Sequence, residues 1–128
     1  MKLLLTEAEW EQADALWSDA FEVAASRLTY LETRAALAAA GRAHRFDPAH
    51  LALARTKLEE RWAGILPIEL DTLVGEAASR AAETYGLRAG DAVHLASALI
   101  LEDEELVFAT WDGVLRSAAA AAGLAVAP

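Results

Sequence analysis

Cysteine is absent from this 128-residue chain, so disulfides and thiolate metal sites are excluded, and zinc is disfavoured with them. Long apolar runs are absent too. The longest, AVHLASALIL and SAAAAAGLAVA, fall short of the roughly 20 residues that span a bilayer, although 55% of the chain is hydrophobic. Basic residues are scarce, with 11 Lys and Arg against 20 Asp and Glu, and a net charge of −9 argues against a non-specific nucleic-acid coat protein. Met1-Lys-Leu-Leu-Leu imitates the start of a secretory leader, but Glu7, Glu9 and Glu11 arrive before an apolar stretch can form. A soluble cytoplasmic protein is the expectation. Its length and apolar content suit one compact domain with a real core.

The charge is unevenly spread. Residues 27–61 hold seven of the eleven basic residues and only four acids, Glu32, Asp47, Glu59 and Glu60. A basic helical hairpin beside an acidic body could guide RNA, and the acidic remainder suits a basic protein partner. A solvated helix face explains the same pattern equally well.

Local signals divide the chain into alternating helices and strands. Thr6-Glu7-Ala8-Glu9 has capping-box form and leads into a helix to about Asp19, on which Trp10, Ala13, Leu16 and Trp17 recur at helical spacing. Phe21–Ala25 reads as a short strand, followed by Ser26 as an N-cap. The next helix carries Leu28, Leu31, Ala35 and Ala39, and Asp47-Pro48 opens its partner through Trp62, which makes 27–62 a helical hairpin. Ile65–Leu70 is a predicted strand, Asp71 caps a helix to Tyr85, and Gly86 stops it. Gly90-Asp91 opens the helix AVHLASALIL. Leu106–Thr110 reads as a buried strand, Asp112-Gly113 as a turn, Val114–Ala122 as a helix ended by Gly123, and Leu124–Ala127 as a last strand. The alternation predicts an α/β domain around a mainly parallel sheet.

Three acidic residues stand in chemically suggestive contexts. Glu32 is spaced with Leu28, Ala35 and Ala39 along the stripe expected to face the core, where a carboxylate needs either a cation or a basic partner such as Arg27 or Arg34. Asp91 follows Gly90 at a helix start, where an N-cap or first-turn acid is the ordinary explanation. Asp112 lies just past an apolar strand, the place where parallel α/β proteins put their sites, although Asp-Gly is also a common turn pair. All three are hard oxygen donors, suited to Mg²⁺ or Mn²⁺.

The contexts LTYLETRAAL, LRAGDAVHLASALIL and LVFATWDGVL, in that order, resemble the PIN-domain ribonucleases, most closely the VapC-type toxins of toxin–antitoxin pairs. The resemblance implies a single PIN-like three-layer α/β/α domain over residues 1–128. It also implies Mg²⁺- or Mn²⁺-dependent endoribonuclease chemistry on RNA, with Glu32, Asp91 and Asp112 as metal ligands and catalytic residues. Thr110 and Arg116 are accessory candidates, the first for holding a ligand and the second for touching a phosphate. A homodimer and a small VapB-type antitoxin lying near the helical hairpin follow from the same likeness.

One element of the family pattern has no match. The family opens on a hydrophobic strand ending in an Asp, whereas this sequence opens at Met1-Lys-Leu-Leu-Leu. One expectation is that Met1 is an internal codon of a longer frame and that Met1–Leu4 is the last turn of the helix after that strand. The alternative is that Lys2–Leu5 serves as a strand with Glu7 in place of the acid. A different class of function stays open beside the nuclease, namely a catalytically inactive PIN-like protein-binding module. A receiver-like domain would need a Lys near the end of the chain, but Lys occurs only at 2 and 57.

Overall fold

A computed structural model describes residues 10–128. The expected capping box at Thr6–Glu9, the strand at Lys2–Leu5 and Glu7 all lie outside the described residues. The elements follow in the order α1 (Trp10–Asp19), β1 (Val23–Ser26), α2 (Arg27–Arg42), α3 (Pro48–Trp62), β2 (Ile65–Ile68), α4 (Thr72–Tyr85), α5 (Ala89–Leu99), β3 (Val107–Ala109), α6 (Gly113–Ala121) and β4 (Ala125–Ala127). No helix among the described residues is long and apolar enough to cross a membrane. The chain forms two compact units. One joins the segment up to Ala24 with Thr29–Leu66, and the other joins Ala25–Leu28 with Pro67–Pro128. The mixed α/β character is as expected, and among the described residues β1 pairs with β2 and β3 with β4.

The first unit is a helical assembly. Leu37, Ala54 and Leu58 are buried together, with Tyr30 packed against them. The rings of Tyr30 and Trp62 approach to 5.2 Å between centroids. Ala13 is buried on α1, and Arg61 ties α3 to that helix by stacking 5.0 Å over the Trp17 ring and bonding Asp14 Oδ1 at 3.1 Å. The buried face of α2 runs through Thr33, Leu37 and Ala40. The stripe expected along Leu28, Glu32, Ala35 and Ala39 is therefore not the buried one, and Glu32 is exposed. A polar residue can take the inner position because the Thr33 hydroxyl donates to the Thr29 carbonyl at 2.8 Å, which satisfies it within the helix.

Two local devices shape the hairpin turn. Asp47 caps α3 by accepting from the His50 backbone N–H at 2.9 Å, and its other oxygen meets the His50 ring. These bonds hold the Asp47 carboxyl below its ordinary value, the backbone N–H contributing most. A carboxyl depressed in the folded state adds stability that is complete above its unfolded value of about 3.9 and fades as pH falls through the lower folded value. The melting-temperature difference between the parent and Asp47→Asn should therefore shrink below about pH 4, as thermal melts at stepped pH would register.

The second device closes α2. His44 donates to the Gly41 carbonyl and Arg45 to the Ala40 carbonyl, each at 3.1 Å, while His44 takes a φ of 51°. That is a Schellman ending with a histidine where glycine is favoured, and the left-handed conformation costs an L residue about 1–2 kcal/mol. His44→Gly should accordingly stabilise the protein by about 0.5–1 kcal/mol in denaturant titration, the gain being trimmed by glycine's freer unfolded state.

The second unit has the larger core, in which Val74, Ala78 and Ala81 of α4 meet Leu95 and Ala96 of α5 and Leu115, Ala118 and Ala119 of α6. Asp71 caps α4 through the Val74 N–H at 2.9 Å, and Gly86, at φ 64°, stops that helix. β3 and β4 run parallel, with Val107 opposite Ala125, Phe108 opposite Val126 and Ala109 opposite Ala127. Gly123 makes this pairing reachable. At φ 93° it donates to Ala120 O at 3.0 Å while Leu124 donates to Ala119 O at 3.0 Å, so the chain turns off α6 directly into β4.

Candidate functional site

Asp112 is positioned by three successive devices at the end of β3. The ladder with β4 continues one step past the strand, because the Thr110 N–H donates to the Ala127 carbonyl at 2.9 Å. Thr110 Oγ1 then accepts from the Asp112 N–H at 3.2 Å. Asp112 itself is the N-cap of α6, its Oδ1 accepting from the Leu115 N–H at 2.9 Å and its carbonyl from the Arg116 N–H at 2.9 Å. The expected turn at Asp112-Gly113 is thus the first step of a helix. One carboxylate oxygen is anchored, and Oδ2 keeps its lone pairs for another partner.

Asp91 stands in the first turn of α5. The residue at the cap position is Arg88, which makes no side-chain cap bond, so of the two roles open to Asp91 it takes the first-turn one. Arg88 Nε donates to Asp91 Oδ2 at 3.1 Å, with the Asp91 side chain only 20% exposed and Arg88 84%. So exposed an arginine contributes little to stability, and it leaves Asp91 Oδ1 available. Sequence reading missed this pair, although its i, i+3 spacing at a helix start was a usable signal. Ala92, beside Asp91, and Leu115, three residues past Asp112, belong to one core cluster. The two aspartates are therefore carried by helices that share a single packed interior.

The remaining candidates divide between the units. Glu32 sits exposed on α2 in the first unit, whereas Asp91, Thr110, Asp112 and Arg116 belong to the second. Arg116 Nη1 donates to the Pro128 backbone oxygen at 3.1 Å, so its guanidinium lies at the end of β4. His94, half-buried one turn past Asp91 on α5, has no assigned role. Among the described residues no three His, Asp or Glu side chains gather into a metal-binding group. Their chemistry nonetheless suits a hard divalent ion, since Asp91 and Asp112 each pair one anchored oxygen with one available oxygen.

The family model described as PIN domain matches residues 1–120. Two proteins of Mycobacterium tuberculosis, Ribonuclease VapC45 of strain CDC 1551 / Oshkosh and Ribonuclease VapC49 of strain ATCC 25618 / H37Rv, are each 47% identical to this chain. Each alignment runs over 128 residues, covering 100% of the chain and 89% of the relative. With nearly the whole sequence matched by the family model and near-half identity to both relatives, the chain belongs to the PIN-domain family.

Proposed function

We propose that this chain is an endoribonuclease toxin of the VapC kind, which hydrolyses RNA phosphodiester bonds with Mg²⁺ or Mn²⁺ and is neutralised by a small VapB-type antitoxin. One observation carries the reading. Asp112 is fixed just beyond a parallel strand with one oxygen anchored and one available, in a chain 47% identical to two proteins named ribonucleases. Asp91 supplies a second carboxylate of the same kind, and Glu32 is the third proposed ligand. When bound, the cation supplies an activated water and stabilises charge developing on the phosphoryl oxygens. The protein's part is orientation. Thr110 holds the Asp112 backbone, the Leu115 N–H fixes the Asp112 rotamer, and the remaining guanidinium N–H groups of Arg116 can meet a phosphate oxygen. The chain acts as one PIN-like domain over residues 1–128, as a homodimer and in the cytoplasm.

A second reading is favoured by the capping bonds themselves. In an inactive protein-binding module, Asp112 would serve only as a helix cap and Asp91 only as a first-turn acid. Thermal melts separate the two. Mg²⁺ at about 100 times its dissociation constant should stabilise the parent by about 2.7 kcal/mol and leave Asp91→Asn unmoved. Equal melting with and without Mg²⁺ would favour the binding module.

A further inference from the structure

The ion pairs of the first unit and its neighbours sort the basic residues of the hairpin into two groups. Arg27 pairs with Glu69, Arg34 with Glu59 at 2.9 Å, and Arg61 with Asp14 at 3.1 Å. Arg42, Arg45, Arg55 and Lys57 make no ion pair among the described residues, and all four are exposed. Arg42 is the last residue of α2, and Arg45 lies in the turn that leads to α3. The sole acid of that turn, Asp47, is already bonded to His50 through both oxygens. Phe46 lies between Arg45 and Asp47 and is 37% exposed, a large apolar ring left partly in water on a cationic loop. The loop is also held in shape, because the His44 and Arg45 N–H groups close the end of α2 and Asp47 opens α3.

We propose that this hairpin tip is an RNA contact surface, with Arg42 and Arg45 on phosphates and Phe46 stacked on an unpaired base. The proposal deepens the ribonuclease reading and rests on it. Charge segregation supports it: beyond residues 27–61 the chain has four basic residues against sixteen acidic ones, so the hairpin is the segment whose charge best suits a polyanion. The aromatic ring favours nucleic acid over an acidic peptide. Each base offers a π-face to a ring flanked by cations, whereas an acidic side chain does not.

The two kinds of contact leave different signatures in binding. Fluorescence anisotropy of a labelled single-stranded RNA 20-mer, measured from low to moderate salt, would use full-length protein carrying Asp91→Asn so that the probe stays intact. On that background Arg42→Gln/Arg45→Gln should flatten the slope of log K against log salt by about 1.4, or 0.7 for each phosphate contact. Phe46→Ala should weaken binding about five-fold or more without changing the slope. The double substitution to lysine should restore the slope, and Arg80→Gln, a change in the other unit, should leave it alone. Unchanged slope and affinity in the tip variants, with the parent still cleaving RNA, would overturn the contact surface and spare the nuclease reading. A parent that neither binds nor cleaves RNA would overturn both. Loss of polyglutamate binding with unchanged RNA binding would overturn the RNA contact in favour of an acidic protein.

Discussion

Asp112→Asn is expected to keep the protein folded while lowering RNA cleavage by at least about 100-fold, whereas Asp112→Ala should lose both activity and stability. The contrast follows from the cap bond that Asp112 makes and the metal-ligand role proposed for it. Asparagine has a carbonyl oxygen that can still accept from the Leu115 N–H, and as an N-cap it ranks with aspartate. It carries no charge for a cation, so the ligand role is lost alone. Alanine leaves the α6 N-terminus uncapped as well, which costs about 1 kcal/mol, or about 4 °C in melting temperature for a domain of this size. If asparagine cleaves RNA at the parental rate, Asp112 is a cap and nothing more. Should asparagine instead destabilise as much as alanine, the cap geometry would be the wrong account of α6.

Leu95→Ala should cost about 2–5 kcal/mol, a large share of the 5–15 kcal/mol that usually holds a domain folded. Leu95 is fully buried on α5, one turn past Asp91, in the cluster that joins α4, α5 and α6. Removing three heavy atoms there forfeits their burial and leaves a cavity that the small residues around it, Ala78, Ala92, Ala96 and Ala119, cannot fill by changing rotamer. A fall of about 10 °C or more in melting temperature is expected. The same loss bears on the proposed site, because α5 and α6 carry Asp91 and Asp112 on this shared interior. Leu95→Met, which keeps the volume, should cost less than about 1.5 kcal/mol. A small effect of alanine would mean that the cluster is looser than its burial implies.

The parts of the fold that were legible in the sequence are those written in local chemistry. Asp47-Pro48, Asp71 and Gly86 marked the ends of α3 and α4, because capping bonds and left-handed turns depend on residues three or four apart. The inward face of α2 was not legible. In RLTYLETRAALAAAGR the alanines make several stripes nearly equally apolar, and the choice falls to distant partners, with Leu37 meeting Ala54 and Leu58. Strand pairing was equally hidden, since elements of three or four residues carry almost no pattern to say which neighbour each will take. Among the candidate site residues, the place of Asp112 and Thr110 at a strand end was readable, and the structure adds the bond between them. Asp91 was readable as a helix-start acid, while its pairing with Arg88 was overlooked.

The most direct measurement is cleavage of a mixed tRNA and rRNA substrate by this chain beside Asp91→Asn, each with Mg²⁺ and with EDTA. Cleavage by the parent in Mg²⁺ is expected, and its loss on either chelation or substitution. Cutting that survives EDTA or is undiminished in Asp91→Asn would contradict the metal-ligand role of Asp91, and a parent that leaves the RNA intact in Mg²⁺ would contradict the nuclease itself.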